Sequence, residues 1–469
     1  MKLLKASFLL AAAATATQLD ATDYRIEWSG ASYGNVARAT ATIGLNLTGF
    51  NLNTLTFWYL NDAHILSFNM TVSGNSLGVL NTNYTRGNLR YFIFGRLSHG
   101  ESMSSDLVAQ GGGTFPGWLD MLVAAPGGDL RTYNMSGAKD FTGYGDSMKM
   151  TYFGPNGVTD VASWMSSIDG QNRVYNAGVT LAGLPLEGAH HRPMLSFDRM
   201  GKESQAWATG DFGSSSRTRD VHVTTGEAGV NWNVGKTGLI GFAAGHGEQN
   251  ADLAFNGSST TKGDYALVEY DYRPEGTQWI VSLLGMIGSW ESKTNRGYTS
   301  GASTDFSFGV ADIISRSARL RVDAPTLVTY GGFGFAPYAS YSVTQTVVGA
   351  YAETGGAFPA SFDAQSHNAQ EGRIGVTATK DVSAATKLLL TVEAIHRFDG
   401  AGPSLTGQDV TGGVSFSLPG TAPRADCVRF GFDVDHKLSA DTLLNVSAHV
   451  ATVGEAHDVS AAISIRRAF

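Results

Sequence analysis

The sequence predicts an all-β protein in which a small, sandwich-like β-rich N-terminal domain precedes a twelve-stranded antiparallel transmembrane β-barrel with a short pore helix. Three observations support this fold class. Apolar and polar residues alternate strictly through most of the second half, as in strands with one apolar and one polar face. Many of these runs exceed the roughly 5–6 residues of a soluble strand and reach the about 9–11 residues of a tilted membrane strand. The chain also ends on an aromatic residue, Phe469, at the end of the last run.

Composition excludes several classes of protein. The chain has 469 residues, of which 42% are hydrophobic and 16% charged, against about 25% charged in a typical soluble domain. Its 58 glycines are far fewer than the one residue in three that a collagen requires. Its 24 Phe, 17 Tyr and 8 Trp exclude a disordered acidic chain, which has few aromatic residues. The single cysteine, Cys427, excludes an internal disulfide framework and a cysteine-based zinc cage. A net charge of −8 excludes the basic footprint of a nucleic-acid-binding protein.

The N-terminus has the organisation of an export signal. Lys2 and Lys5 precede a short apolar stretch at 6–14, and Ala14 and Ala16 then offer small residues at a cleavage site. This order predicts a signal peptide at 1–16 and a mature chain that starts near Thr17 and works outside the cytoplasm. The alternative is a buried helix of the mature fold.

Alternation is clearest near the C-terminus. Val428, Phe430 and Phe432 fall on one face of a run, whereas Arg429 and Asp433 fall on the other. A soluble sandwich would show the same alternation. However, the polar faces carry charges in run after run, as a water-filled lumen allows, and this favours an outer-membrane barrel. Twelve runs are predicted as strands, at 205–214, 222–235, 237–252, 262–273, 277–293, 304–322, 328–345, 370–380, 386–398, 426–438, 442–453 and 457–469.

The links between these runs differ in length. Short links at 235–237, 273–276, 383–385 and 439–441 are expected on the periplasmic side, and the long links 346–368 and 399–425 outside the cell. Aromatic residues near strand ends predict girdles at the two membrane interfaces, although they could equally be scattered packing residues. These residues are Tyr270, Tyr272, Trp279, Trp290 and Phe398.

Residues from about 195 to 469 resemble the translocator barrel of the autotransporter family, the type V secretion proteins. The resemblance rests on the order and spacing of short aromatic and glycine-rich strands at 206–213, 229–235, 238–245, 335–341, 371–375 and 464–469. It implies an outer-membrane barrel of twelve strands, threaded by a helix, that helps to export the segment preceding it. By resemblance to other outer-membrane barrels, Phe469 is expected to address the chain to the barrel assembly machinery, and outer-membrane lipid is the other expected partner.

The threading helix of the family is expected within a linker at 181–204. The candidate is 189–200, where Pro193 fits a first helical turn, and where Arg192, Asp198 and Arg199 suit a charged lumen. A plain linker is the alternative. His190 and His191 have no spaced third ligand, so a metal site is not predicted.

Residues 17–180 are the predicted passenger domain, for which one small sandwich is the simplest packing. Short runs rich in Val, Ile, Thr and aromatic residues predict strands at 24–28, 38–45, 65–72, 89–94 and 148–153. No 20–50-residue repeat is evident, although family passengers are often long β-helices.

Catalytic motifs are weak in this domain. Gly145, Asp146 and Ser147 resemble the nucleophile block of the GDS-type esterases, but the downstream Asp-x-x-His is missing. His64 and His99 are the only histidines before 189, and a serine without a nearby base is a poor nucleophile. Gly111, Gly112 and Gly113 are read as a flexible turn. The sequence therefore predicts no enzyme, no cofactor, and no catalytic or metal-binding residue.

Two functional classes remain open for the whole chain. In the first, the barrel anchors the chain and displays a passenger, interpreted as a binding or adhesion module with an unknown extracellular ligand. In the second, a passive, porin-like barrel carries an N-terminal domain that stays in the periplasm. A surface esterase that uses Ser147 is a minor third reading.

Overall fold

The computed structural model describes residues 22–29, 36, 38–46, 56–59, 63–74, 82–95, 118–123, 133–134, 149–154, 157–160, 164, 167–168, 170–187, 204–215, 221–300, 303–410, 415–420, 426–452 and 459–469. The predicted signal peptide at 1–16 lies outside these residues.

Before the barrel the described chain forms antiparallel strands in two sheets. The six-stranded sheet has the order β10-β9-β1-β2-β4-β5, and the four-stranded sheet the order β3-β6-β7-β8. The strands are β1 Thr22–Ser29, β2 Arg38–Leu45, β3 Thr56–Tyr59, β4 Ile65–Ser73, β5 Asn83–Thr85, β6 Leu89–Gly95, β7 Trp118–Val123, β8 Tyr133–Asn134, β9 Lys149–Gly154 and β10 Gly157–Asp160.

These strands agree with the sequence pattern. Each of the five predicted runs overlaps a strand, in β1, β2, β4, β6 and β9. In β2 and β4 the burial alternates with period two, so that Ala41, Ile43 and Phe68 are buried on one face. A β-rich N-terminal region is therefore confirmed.

One helix of the described chain, α1, spans Asn172–Glu187 and precedes the barrel. The barrel itself consists of twelve antiparallel strands that pair in chain order. They are β11 Ser204–Ser215, β12 Val221–Val234, β13 Gly238–Asp252, β14 Ser258–Tyr272, β15 Ile280–Ser300, β16 Ser303–Asp323, β18 Phe333–Val348, β21 Gln365–Asp381, β22 Thr386–Arg397, β25 Asp426–Lys437, β26 Thr442–Ala451 and β27 Val459–Ala468. Pairing of β11 with β27, from Gln205↔Ala468 to Ser214↔Val459, closes the sheet.

The remaining strands lie at the two ends of the barrel. A short hairpin of β17 Val328–Tyr330 with β18 lies in the link between β16 and β18. The other four strands form a sheet with the order β19-β20-β23-β24, which we call the loop sheet. They are β19 Tyr351–Ala352, β20 Ala360–Phe362, β23 Leu405–Asp409 and β24 Ser415–Leu418. The links 346–368 and 399–425 were predicted without strands, and they hold this sheet.

The barrel has a short-turn end and a long-loop end. The links 235–237, 273–279, 382–385 and 438–441 lie at the short-turn end, where β11 begins and β27 ends. The loop sheet lies at the long-loop end, where β15 and β16, of 21 residues each, continue beyond their neighbours. The chain therefore enters its first barrel strand at the short-turn end.

The two faces of the barrel strands match the predicted alternation. On β25, Phe430 and Phe432 are about half exposed, whereas Arg429 and Asp433 are buried inside. The same holds on β27, where Ile463 points outward and Ser464 inward. A closed sheet with an apolar outer face satisfies its backbone hydrogen bonds internally, which a lipid environment demands.

One aromatic residue departs from the predicted girdles. Tyr270, Tyr272, Trp279 and Phe398 are exposed on the outside, but Trp290 is buried in the lumen, where its Nε1 donates to Ser315 Oγ (3.3 Å). The assignment of Trp290 to a girdle was wrong because it followed position along the strand and not the period-two face. Among the helices in the described ranges, none has both the length and the apolar character needed to cross a bilayer.

Candidate functional site: the helix in the barrel lumen

Helix α1 lies inside the barrel against the strands from β12 to β16 and β18. Its N-terminal end is at the long-loop end, where Tyr351 OH of the loop sheet donates to Gln171 Oε1 (3.3 Å). Its C-terminal end points toward the short turns, where Arg319 of β16 donates to the carbonyl oxygen of Leu186. The chain therefore runs through the lumen from the long-loop end toward the start of β11.

This helix differs in place from the predicted one. The candidate at 189–200 lies outside the residues that the structure describes, as do His190 and His191. The helix that is described begins at Asn172, within the segment assigned to the passenger. A charged lumen predicts a polar helix. Helix α1 is instead mostly apolar, and it buries Val174, Leu181 and Leu184.

An apolar side of the lumen explains that composition. Side chains from neighbouring strands form one buried cluster with the helix, and burial of such surface stabilises by roughly 25 cal/mol per Å². The barrel contributes Trp207, Val223, Ala243, Tyr265, Leu267, Leu284, Met286, Trp290, Ala311, Ile313 and Val348 to this cluster. We call Leu267, Leu284, Met286, Trp290 and Ile313 the apolar wall.

The backbone of α1 comes close to the barrel strands at Gly178. A Cβ atom at this position would lie 2.7 Å from Ile313 Cγ2 and 2.8 Å from Thr346 Cγ2, closer than van der Waals contact allows. Ser315 Oγ donates to the carbonyl oxygen of Gly178 (3.0 Å). Glycine therefore lets the helix backbone contact the barrel strands directly.

Three arginines of the barrel hold the C-terminal end of the helix. Arg319 also pairs with Glu269 (3.1 Å), and Arg429 Nη2 donates to the carbonyl oxygen of Glu187 (3.1 Å). Arg373 Nε lies 3.8 Å from Glu187 Oε2. Helix C-termini leave carbonyl groups without partners and carry partial negative charge, so cations are favoured there.

Two of these arginines, Arg373 and Arg429, form a buried network around Glu393. Arg373 Nη1 (2.7 Å) and Arg429 Nε bind Glu393 Oε1, and Tyr338 OH donates to Glu393 Oε2 (2.6 Å). We call Arg373, Glu393, Arg429 and Asp433 the charged wall. A buried carboxylate with several charge-assisted partners tolerates removal from water.

Before its C-terminal end, the helix is separated from this charged wall by a cavity. It holds about 880 Å³ of empty space, part of it open to solvent, between α1 and the strands β18 to β27 and β11. Gly183, Asp211, Arg397 and His449 line it, as does the buried Cys427. The helix thus lies off the barrel axis, on the apolar side.

At the long-loop end, the residues just before α1 enter a second buried network, which we call the mouth network. Arg296 at the far end of β15 binds Glu353, which directly follows β19 of the loop sheet, through Nε (2.8 Å) and Nη2 (2.5 Å). Arg296 Nη1 donates to Ser167 Oγ (2.7 Å), and Trp164 Nε1 donates to the carbonyl oxygen of Phe358 (3.2 Å).

Aromatic side chains surround this network. Trp164 meets Phe416 edge to face, with 5.9 Å between ring centroids, and Tyr351 stacks on Phe362 at 4.7 Å. Burial, reinforced by the Glu353 carboxylate, raises the pKa of Tyr351 well above its ordinary value, so the hydroxyl stays neutral. Packed side chains therefore join the segment before α1 to the loop sheet at the barrel mouth.

The charges expected on the polar faces of the predicted strands lie in the lumen at several positions. Glu227, Glu269, Asp271, Arg373, Glu393, Arg429 and Asp433 are buried there, and Lys387 is half-buried. The prediction did not identify Arg296, Arg319 or Glu353. Arg319 follows the same period-two pattern and could have been found, whereas Arg296 and Glu353 lie outside the predicted strand spans.

Other predicted positions carry no structural account. Ser147 with Gly145 and Asp146, His99 and the turn 111–113 all lie outside the described residues. Within the described ranges, no three side chains of His, Cys, Asp and Glu come together as a metal-binding group. Phe469 is described, with its backbone N donating to the carbonyl oxygen of Ser204 (3.0 Å) and its ring exposed.

Comparisons with solved structures show a distant likeness in fold. The translocator domain of the autotransporter NalP from Neisseria meningitidis is 13% identical with a TM-score of 0.49, covering 62% of this chain and 100% of that one. The β-domain of the Bordetella autotransporter BrkA is 15% identical with a TM-score of 0.42, covering 57% and 100%. The toluene transporter TodX of Pseudomonas putida is 9% identical with a TM-score of 0.36, covering 57% and 90%.

Sequence comparison is more discriminating. No curated protein sequence matches the chain significantly. The family model for the autotransporter beta-domain, however, matches residues 204–449, from the start of β11 into β26 and more than half of the chain. The protein therefore belongs to the autotransporter family, and its twelve-stranded barrel is an outer-membrane β-domain of that family.

Proposed function

We propose that the barrel anchors the chain in the outer membrane, helps to export the segment before it, and displays that segment at the cell surface. The observation that carries this proposal is the direction of α1, which enters the lumen at the long-loop end and leaves toward the start of β11. In an outer-membrane barrel the long loops face outside and the short turns face the periplasm. Residues that precede α1 then lie outside the cell.

The chemistry of the lumen supports this arrangement. A polypeptide that crosses a membrane needs surroundings that accept its backbone polar groups. Ser315, Arg319 and Arg429 each donate a hydrogen bond to a carbonyl oxygen of the threaded segment. With a single cysteine in the chain, no intramolecular disulfide hinders the passage of an unfolded segment.

The passenger itself is proposed to be a binding or adhesion module with an extracellular ligand, and not an enzyme. It would extend from near Thr17, after removal of a signal peptide at 1–16, to the residues before α1. The reading of Ser147 as an esterase nucleophile lacks the downstream Asp-x-x-His motif, and His64 Nδ1–H donates to the carbonyl oxygen of Asn46 (2.5 Å).

The C-terminal residue is proposed to address the chain to the barrel assembly machinery. Phe469 ends the strand that closes the barrel, and its ring is exposed on the lipid side. Deletion of Phe469 should lower the amount of folded, heat-modifiable barrel in the outer membrane and leave precursor in the periplasm. Unchanged amounts of folded barrel would contradict this role.

Epitope tags at two positions test the proposed topology. A tag at 111–113 should bind antibody on intact cells and be removed by added protease. A tag in the short turn 439–441 should stay hidden until the outer membrane is opened. If the tag at 111–113 is detected only after permeabilisation, the display function fails and the alternative, a passive barrel with a periplasmic N-terminal domain, replaces it.

A further inference from the structure

The cavity beside α1 reaches solvent along one face of the helix. Thr180, Gly183 and Glu187 line it and share that face, because positions three and four apart in a helix lie above one another. Asn176 lies one turn before Thr180 on the same face, and it is exposed. Since the N-terminal end of α1 is at the long-loop end, the cavity opens toward that end. Its empty space of about 880 Å³ is of the size that small-molecule sites have.

The long-loop end of the cavity holds an arginine with few partners. Arg397, the last residue of β22, lines the cavity with a side chain that is 17% exposed. Its Nη2 lies 3.5 Å from Asp399 Oδ2, whereas its Nε has no hydrogen-bond partner among the described residues. The hydroxyl of Tyr175, close enough to Asp399 and Arg397 for their charges to act on it, is likewise buried without a partner in the described chain. Because buried donors without acceptors are costly, this end favours an acceptor such as a carboxylate.

The opposite end of the cavity presents an unused acceptor. Glu187, the last residue of α1, has a side chain that is 9% exposed, and its Oε2 lies 3.8 Å from Arg373 Nε. Its Oε1 is buried and has no hydrogen-bond partner in the part of the chain that the structure describes. A buried carboxylate oxygen favours a cationic donor such as an ammonium group. Donor and acceptor therefore face one cavity from its two ends.

The strand register gives the separation of these two ends. Ile395 pairs directly with Arg373, which lies beside Glu187, and Arg397 is two residues further along β22. Two strand residues span about 7 Å, which is also the reach of about two residues of extended peptide. Between the two ends, Leu184 and Ile395 provide apolar surface. The cavity thus matches a short molecule with one charge of each sign and an apolar middle.

We propose that this cavity binds a short zwitterionic peptide of about two apolar residues. Arg397 binds its carboxylate, Glu187 binds its ammonium group, and its side chains lie on the apolar surface between them. Binding requires only the folded barrel with α1 in the lumen. The side of the membrane from which the peptide arrives rests on the proposed topology, in which the long-loop end faces outside. The barrel that anchors the chain is then also a receptor for small extracellular peptides.

Isothermal titration calorimetry of the full chain, folded in detergent micelles, tests this site with the dipeptide leucyl-leucine. The dipeptide should bind at one site per chain. Acetylation of its N-terminus removes the ammonium charge, and amidation of its C-terminus removes the carboxylate charge. Each blocked dipeptide should bind at least about tenfold more weakly, as expected for the loss of one charge-assisted hydrogen bond. A dissociation constant above about 1 mM for leucyl-leucine would overturn the proposal.

Two variants assign the ends of the bound dipeptide. Arg397→Gln should weaken binding of leucyl-leucine at least about tenfold but affect its amide much less, because the amide has no carboxylate to lose. Glu187→Gln should weaken leucyl-leucine similarly and affect the acetylated dipeptide much less. Equal losses for free and blocked dipeptides would contradict the assigned ends. Arg316→Gln, at an exposed site on the outer face of β16, is the matched control and should bind all three dipeptides as the unaltered chain does. Heat-modifiable migration should show that each variant forms the folded barrel.

The outcomes separate this proposal from the proposed function. If the tag at 111–113 is exposed on cells but leucyl-leucine does not bind, or binds no better than its blocked forms, the peptide site is wrong and display stands. If leucyl-leucine binds as expected but that tag is hidden on intact cells, display fails and the site stands as one that opens to the other side of the membrane.

Discussion

The two walls of the barrel lumen differ in chemistry, and most of the helix packs against only one of them, since the charged wall reaches the helix at its C-terminal end. Along the apolar wall, Leu267, Leu284 and Ile313 pack on α1 in one buried cluster. Along the charged wall, Arg373, Glu393 and Arg429 bind one another, and a cavity lies between them and the helix. The position of α1 is therefore set by apolar burial on one side and by the absence of comparable apolar surface on the described part of the other.

Under the proposed export function, one lumen must both hold a helix and accept a moving chain. Apolar contacts are strong only once a matching surface is seated. Polar and charged groups, by contrast, accept many segments through hydrogen bonds. We infer that the apolar wall fixes the final position of α1, whereas the charged wall borders the space that remains. Substitutions that alter one wall at a time test this difference.

The largest effect is expected at Arg319, the charge that lies beside the apolar wall. Arg319→Met would leave the buried Glu269 carboxylate without this partner and the Leu186 carbonyl oxygen without its donor. Breaking a buried ion pair on one side costs about 3–5 kcal/mol. The free energy of unfolding, measured by denaturant titration in lipid vesicles, should fall by that amount.

Arg316→Met is the matched control for this substitution. Arg316 lies three positions earlier on the same strand, points outward, and reaches Gln345 Oε1 at 3.4 Å. Its replacement should cause no loss of stability, because methionine is at least as favourable as arginine on a strand face turned toward lipid. Equal losses in both variants would mean that the two faces of β16 are not distinguished as described.

An intermediate effect is expected where the charged wall is compared with the outside of the same strand. Phe430→Arg places a charge toward lipid and should cost about 2–4 kcal/mol, with less heat-modifiable barrel in the outer membrane. Asp433→Asn changes a lumen residue three positions later and keeps its size and its capacity for hydrogen bonding. It should leave the amount of folded barrel close to that of the unaltered chain. Similar amounts of folded barrel in both variants would contradict the membrane orientation of β25.

The barrel strands could be predicted from sequence because their pattern is local. Alternation of apolar and polar residues within one strand shows which side chains lie on each of its faces. The predicted spans 222–235 and 386–398 therefore differ from the strands Val221–Val234 and Thr386–Arg397 by one residue at most at each end. The order of the barrel strands also follows the chain, since successive barrel strands pair with each other. Closure of the sheet is different, because it joins β11 to β27, the first and last barrel strands.

The site was harder to predict because its members are distant in sequence. Arg296 is 57 positions from Glu353 and 129 from Ser167, and no local spacing reports such a contact. The strands of the loop sheet have two to five residues, too few for alternation to be recognised. Helix α1 was missed for a third reason, since two interior glycines besides Pro185 weaken its helix propensity.

The smallest effects, and the sharpest comparison, are expected at these two glycines, because they face the two sides of the lumen from one helix. Gly178→Ala places a Cβ atom 2.7 Å from Ile313 Cγ2 on the apolar wall, whereas among the described residues nothing lies within 4 Å of a Cβ at Gly183, which borders the cavity. Overpacking costs about 1–3 kcal/mol, so Gly178→Ala should destabilise the folded chain. Gly183→Ala should stabilise it by about 0.5–1 kcal/mol, since alanine restricts the unfolded chain and favours helix.

Both changes add the same methyl group to the same helix, so a difference in intrinsic propensity cannot produce opposite signs. The free energies of unfolding of the two variants, measured by denaturant titration, therefore report how closely each side of α1 packs against the lumen. A change of the same sign and size in both variants would show that α1 does not pack against the apolar wall.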